Sequence, residues 1–246
     1  MRRLFLAITK GEELRFLGHL DFLRTLERAI MRSAIPVAYS EGFNPHMRIA
    51  LDAALGVGVA ADPIYLDIRL DGDMPLAEVR ERLEKELLRG IRIKDIMEAD
   101  LSWPKLINFL NEDVYEAEGP VSGAFDGAAV QQEIQRFNSL TSFLYERVTP
   151  KKVRSMDVIP MLTEPLSVRI ENDRAYLSFA LIRSTRGTVQ PKDLWKLLAE
   201  SFHMPWTSGE FVCSRCGVYH REGNVRKTPF DAGVFPKPKE GKASKK

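Results

Sequence analysis

The chain has few of the residues, and none of the short motifs, on which many enzymes depend. It contains only two cysteines and four histidines in 246 residues. We find no P-loop, no HExxH metal motif and no Ser-His-Asp arrangement along it. No run of eighteen apolar residues occurs, so we expect no transmembrane helix. These absences exclude several common enzyme classes and make a binding role as plausible as a catalytic one.

The composition is that of a globular protein, with 44% hydrophobic and 28% charged residues. A length of 246 residues favours two domains of ordinary size over one large domain. The net charge is +2, but residues 221–246 carry +5, which leaves −3 for the rest of the chain. A basic segment indicates either a polyanionic ligand or a solubilising tail. The apolar part of residues 1–10 is too short for a signal peptide, so we predict a first strand and a cytoplasmic protein.

The hydrophobic pattern predicts two successive β-α-β-β-α-β units. Apolar residues recur at helical spacing over 20–33, and residues 64–70 alternate as in a half-buried strand. Pro191 is placed to begin a helix over 191–202. The other predicted helices cover 76–89 and 127–139, and the other predicted strands cover 3–9, 37–39, 48–51, 91–98, 113–118, 143–148, 166–170, 175–182 and 210–220.

We therefore predict an α+β protein with two tandem ferredoxin-like (βαββαβ) sandwiches and a disordered basic C-terminal tail. The first ferredoxin-like domain covers 1–100 and a linker covers 101–112. The second ferredoxin-like domain covers 113–222, and the flexible tail covers 223–246.

The segment from Tyr39 to Ile49 contains aromatic and ionisable side chains that a simple turn does not need. Gly, Pro and Asn would be enough to reverse the chain. Aromatic and basic side chains interleaved at a sheet edge suit single-stranded RNA, whose bases stack and whose phosphates pair with arginine. The alternative is that Phe43 is buried and plugs the end of the sheet. The candidate ligand-binding residues of this segment are Tyr39, Ser40, Glu41, Phe43, Asn44, His46 and Arg48.

A second candidate group surrounds the start of the first helix. Asp21 is placed to cap this helix or to lie in its first turn, and His19 could act as a base, a ligand or a phosphate partner. Arg24 and Arg28 follow at one-turn spacing, so they share a helix face with Asp21. With Arg15, these residues form either a binding surface or an ordinary solvated helix face.

The second half of the chain offers cations and a possible metal site. We predict that Lys151, Lys152 and Arg154 lie in an exposed connection between strands, and that Arg183 and Arg186 precede a helix N-terminus that could bind phosphate. Such loops are also common as plain surface. A separate candidate set for a metal is Cys213, Cys216 and His220, but it provides three ligands where a tetrahedral site needs four.

Several of these segments resemble the radical SAM-linked protein family. The resemblance is dense over residues 3–70, and Met47-Arg48 stands where the family has Pro-Lys. Members of this family are fused to, or encoded beside, a cobalamin-binding radical SAM protein, and no activity of their own is known. The matching segments are Leu14–Asp21, Glu27–Ala29, Pro36–His46, Ala54–Gly58 and Tyr65–Ile68.

The resemblance implies a partner that uses S-adenosylmethionine, an iron–sulfur cluster and cobalamin, and no cofactor on this chain. Two cysteines cannot build the CxxxCxxC motif of a radical SAM enzyme. We expect a non-catalytic accessory protein that binds RNA (tRNA or rRNA) for a separate radical SAM enzyme. Two alternatives remain open at this point: an RNA-processing enzyme that uses His19 or His46 as its acid or base, and an adaptor that binds only the radical SAM protein.

Overall fold

A computed structural model describes residues 1–149, 152–184 and 187–235, and shows a mixed α+β protein with mostly antiparallel sheet pairing and few helices. The chain divides into two units. Unit 1 comprises Met1–Val57, Ala61–Leu110 and the chain from Tyr219 onward, and unit 2 comprises Gly58–Ala60 and Asn111–Val218.

Unit 1 begins with the elements β1 (Arg2–Lys10), α1 (His19–Ser33), β2 (Ile49–Leu51), β3 (Val59–Leu70), α2 (Leu76–Glu84), β4 (Ile93–Ala99) and α3 (Leu106–Phe109). Its strands form an antiparallel sheet in which β4, β1 and β3 are neighbours and β2 also pairs with β3. Helices α1 and α2 bury an apolar stripe against one face of this sheet.

Both faces of β1 are buried, because a second layer covers the face that α1 and α2 leave open. On that face Phe5 lies near the rings of Trp103 and Phe235, at centroid distances of 6.2 and 5.7 Å. Arg3 is also buried there, and its guanidinium pairs with Asp67 at 2.7 Å. The residues predicted as a linker therefore include part of the core of unit 1.

The elements that follow are β5 (Glu112–Pro120), α4 (Gly127–Asn138), β6 (Leu144–Thr149), β7 (Lys152–Asp157), β8 (Ser167–Glu171), β9 (Arg174–Ile182), α5 (Pro191–Ser201) and β10 (Val212–Glu222). In unit 2, β5 lies between β10 and β9, and β8 pairs with the other side of β9. The β5–β9 and β8–β9 pairs are antiparallel, and β6 and β7 form a separate two-stranded sheet.

The predicted tail boundary falls inside a hairpin. β11 (Val225–Lys227) pairs antiparallel with β10, and the chain then continues to Phe235, which is buried. Two aromatic rings, Phe230 against Tyr65 and Phe235 against Trp103, hold this segment to unit 1 in spite of the polar composition around them. The remainder of the predicted tail, residues 236–246, lies outside the described residues.

Candidate functional site

The segment Tyr39–Arg48, which we call the recognition loop, is closed at its base by backbone pairing. Tyr39 and Met47 form a β-bridge. The Ser40 N–H donates to the His46 carbonyl at 2.8 Å, and the His46 N–H donates to Ser40 Oγ at 3.0 Å. These bonds hold the ends of the loop together, so its tip is displayed in a defined position before any ligand binds.

The tip of the recognition loop projects into solvent. Every residue from Glu41 to His46 is exposed, and Phe43 reaches 107% of its reference accessibility. Gly42 has a φ of +120°, which glycine adopts readily and other residues do not. The alternative in which Phe43 is buried at the end of the sheet is therefore wrong. The whole Phe43 ring is therefore accessible to a molecule outside the chain.

A cation is fixed at the base of the same loop. Arg48 is half-buried, and its Nε donates to the Tyr39 carbonyl at 3.1 Å. Its backbone carbonyl accepts the Arg69 N–H at 3.0 Å, which joins the loop to strand β3 of unit 1. Tyr39 is 45% exposed. The loop thus combines a free aromatic tip at Phe43, an exposed imidazole at His46 and a positioned guanidinium.

The second candidate group lies around the start of α1, next to the end of β1. Lys10 Nζ donates to the Leu17 carbonyl at 2.9 Å, which ties the connection to that end of the strand. The Arg15 guanidinium lies 4.8 Å from the Phe16 ring centroid, and this ring is 67% exposed. His19 is the first residue of α1, and its Nδ1 is buried without a hydrogen-bond partner among the described residues.

Asp21 lies in the first turn of α1, as one of the two predicted positions, but it does not cap the helix. The N-cap residue is Gly18, which has no side chain with which to cap the helix. Asp21 Oδ1 instead lies 3.8 Å from Arg24 Nη1, and both side chains are about two-thirds exposed. Arg28 is exposed one turn further on. These side chains are exposed, as on an ordinary solvated helix face, which was the alternative to a binding surface.

The two candidate groups of unit 1 lie at opposite ends of its sheet. Helix α1 starts beside Lys10, and the chain returns to the sheet where Val37 bridges Leu70. Leu70 pairs with Arg2, at the other end of β1. A 15-residue helix is about 22 Å long. The structure therefore separates His19 and Arg15 from the recognition loop.

The predicted cations of the second half belong to unit 2 and have different environments. Arg154 lies in β7 and is exposed. Arg183 is not available as predicted, because its guanidinium makes two hydrogen bonds to the Asp113 carboxylate, at 2.8 and 2.6 Å. Lys151 and Arg186 lie outside the described residues, as does the side chain of Lys152, whose backbone is in β7.

Arg147 and Phe16 were not among the candidate site residues, although Arg147 begins the cationic segment 147–154 that was predicted as an exposed connection. Arg147 in β6 lies directly opposite Arg154, so this segment is a hairpin and not a plain connection. Phe16 is exposed beside Arg15. Neither arrangement was identifiable in advance, because a run of cations does not show strand register and a lone aromatic does not show its exposure.

The candidate metal ligands do not converge. Cys213 is buried and Cys216 is exposed on strand β10, where residues three apart point to opposite faces. Burial raises the pKa of the Cys213 thiol to about 12. His220 Nδ1 is 2.8 Å from the Phe109 carbonyl, and its ring stacks on that of Phe109. Among the described residues, no group of three or more His, Cys, Asp or Glu side chains is arranged to hold a metal ion.

Comparisons with solved structures give only distant similarities. The chain is similar to a chain of a Cbf5-Nop10-Gar1 complex, with 8% identity and a TM-score of 0.44 over 85% of this chain, and it spans about half (48%) of that chain. It is similar to an unknown protein from Galdieria sulphuraria, with 11% identity and a TM-score of 0.26 over 75% of this chain and 84% of the other. A third similarity is to a RAMP protein binding different RNA substrates, with 9% identity and a TM-score of 0.20 over 74% and 86% of the two chains.

No curated protein matches the sequence. Within residues 1–149, 152–184 and 187–235, none of the helices combines the length and apolar character needed to cross a membrane. One family model matches residues 3–191, which is most of the chain and includes both the recognition loop and the β6–β7 hairpin. This chain therefore belongs to the family described as "Uncharacterized protein conserved in bacteria (DUF2344)".

Proposed function

We propose that this chain is a non-catalytic accessory protein that binds single-stranded RNA through the recognition loop. The observation that carries the proposal is the fully exposed ring of Phe43 at the tip of a loop whose base is already hydrogen-bonded. An aromatic ring of this kind can stack on an unpaired base of any sequence. Arg48 and His46 add donors for phosphate or for a base edge nearby.

The wider role that we propose comes from the resemblance to the radical SAM-linked protein family. In this role the chain is cytoplasmic and presents tRNA or rRNA to a separate radical SAM enzyme. The partner supplies S-adenosylmethionine, an iron–sulfur cluster and cobalamin chemistry. The separation of His19 from His46 argues against RNA cleavage in which both histidines act on one phosphate, because general acid and base groups must reach the same reacting phosphate.

We also propose that the two units are tandem ferredoxin-like sandwiches. The neighbour order in unit 1 is β4-β1-β3-β2, and that in unit 2 is β10-β5-β9-β8. Both correspond to the 4-1-3-2 order that a βαββαβ chain forms, with the β6–β7 hairpin as an insertion in the second. An experimental structure in which β10 has a neighbour other than β5 in unit 2 would contradict this assignment.

The RNA proposal is tested by measuring the affinity of the full chain for a fluorescent single-stranded oligoribonucleotide by anisotropy. Loss of one stacked base costs about 1–3 kcal/mol, or about 5- to 150-fold in affinity. We therefore expect Phe43→Ala to weaken binding by at least about fivefold and Phe43→Trp to retain it. Phe125→Ala is the matched control, because Phe125 is also exposed (41%) but lies outside the loop.

Two results would reject the RNA proposal. One is equal RNA affinity for Phe43→Ala and Phe125→Ala. The other is the absence of salt-sensitive RNA binding by the unsubstituted chain, since contacts to phosphate release counterions. If Phe43→Ala instead abolishes only co-purification with the radical SAM protein, the loop binds protein and the adaptor alternative is correct.

A further inference from the structure

The β6–β7 hairpin of unit 2 places two arginines side by side. In the register of this two-stranded sheet, Arg147 lies directly opposite Arg154. Side chains alternate along a strand, so Tyr145 shares their face, while Glu146 and Asp157 belong to the opposite face. Like charges directly opposite each other destabilise a sheet unless an anion lies between or beside them.

One of the two charges already has a counter-ion. Arg147 Nε lies 3.4 Å from Asp193 Oδ2, and Asp193 is more than nine-tenths buried. Arg147 also donates to Gln190 Oε1 at 3.0 Å. The carboxylate and the amide fix the Arg147 guanidinium in place, so it loses little conformational entropy when another group binds to it.

Arg154 has no such counter-ion. It is exposed, and none of the carboxylates among the described residues forms an ion pair with it. Its Nη1 lies beside Gly187, 3.9 Å from the point where a Cβ would stand. Gly187 carries no side chain and has a φ of +95°, so no side chain of this residue covers the guanidinium. Among the side chains that the structure describes on this face, two guanidinium groups and the Asp193 carboxylate sum to a charge of +1.

We propose that the Arg147–Arg154 face binds a phosphate group. Guanidinium donors form a planar fork that matches phosphate oxygens, and a dianion or diester anion would compensate the second cation of the pair. The phosphate could belong to an RNA backbone or be a free anion, and the chemistry is the same in both cases. This site lies in unit 2 and does not depend on the assignment of the recognition loop.

The RNA source is tested with the full chain, by measuring oligoribonucleotide affinity over a range of salt concentrations. We expect Arg154→Ala to weaken binding about tenfold. It should also lower the slope of log K against log salt by the amount that corresponds to about one phosphate contact. Arg154→Lys should retain the slope and part of the affinity. Arg89→Ala is the matched control, because Arg89 is 98% exposed and lies in neither proposed surface. In contrast, Phe43→Ala should change the affinity and leave the slope unaltered.

The free-anion source is tested by titrating inorganic phosphate and following the arginine Nε–H resonances by NMR. We expect one saturable shift that Arg154→Ala abolishes and Arg89→Ala retains. If phosphate binds there but RNA does not bind to the chain at all, the phosphate site stands and the proposed RNA function fails. If Arg154→Ala and Arg89→Ala behave alike with both ligands, or if polyglutamate competes as well as phosphate does, the phosphate assignment is wrong.

Discussion

Replacing Phe235 by alanine tests whether the last described segment is an integral part of unit 1. The Phe235 side chain is 6% exposed, and its ring stacks on Trp103 at a centroid distance of 4.4 Å. It also lies 4.3 Å from the ring of Phe109 and 5.7 Å from that of Phe5. These contacts cover the face of the sheet that α1 and α2 leave open, so removing the ring opens a cavity among three aromatic side chains.

The expected loss of stability follows from this burial. Truncation of a buried phenylalanine to alanine costs about 3–5 kcal/mol of unfolding free energy, and aromatic pairing contributes about 0.5–1.5 kcal/mol beyond the area term. The Trp103 and Phe109 rings that face Phe235 are themselves only partly buried, so we expect a value at the lower end, about 3 kcal/mol. The same substitution at Phe43 removes a ring that is wholly in water, and should change stability by less than about 0.5 kcal/mol.

Urea denaturation followed by tryptophan fluorescence is the appropriate assay, because Trp103 is the tryptophan of unit 1 and lies against Phe235. With a slope of about 1–3 kcal/mol per molar urea, a loss of about 3 kcal/mol lowers the midpoint by about 1–3 M. Phe43→Ala provides the control for the chemistry of the substitution itself. If Phe235→Ala and Phe43→Ala have the same midpoint, residues 228–235 do not stabilise unit 1 and the reasoning is wrong.

Two further predictions concern unit 2. Asp113→Asn should lower its stability by about 3–5 kcal/mol in calorimetry, because the buried guanidinium of Arg215 and that of Arg183 both lose their shared carboxylate; an unchanged transition would show that this ion cluster is dispensable. Thiol titration should find one reactive cysteine, Cys216, in the native protein and two after denaturation. Burial raises the pKa of the Cys213 thiol and shields it from reagents, so rapid native labelling of both cysteines would refute its burial.

Local patterns in the sequence were sufficient where one physical signal dominated. The helical spacing over 20–33 corresponds to α1 (His19–Ser33), and the alternation over 64–70 lies within β3 (Val59–Leu70). Pro191 does begin α5, because its fixed φ and missing N–H suit the first position of a helix. In each case the residues that determine the element are close together in the chain.

Other features depend on partners that are distant in sequence. Phe235 is anchored by rings more than a hundred residues earlier, so the polar composition of its own segment predicted a free tail. Arg147 and Arg154 were read as part of a connection, because a run of cations conceals the strand alternation that their hairpin actually has. Arg183 was read as a phosphate ligand, since nothing near it in sequence reveals that its guanidinium binds Asp113.

The separation of the two histidines limits the chemistry that unit 1 can perform. His19 and His46 lie 27 positions apart in the sequence, and α1 carries the chain from one end of the sheet to the other between them. A proton relay requires donor and acceptor within hydrogen-bond reach, directly or through one water, and about 20 Å is far beyond that. The two imidazoles therefore do not act as acid and base on one reacting group, and a reaction at either of them has to use other side chains near it. Stacking on Phe43 requires only the exposed ring that the loop presents.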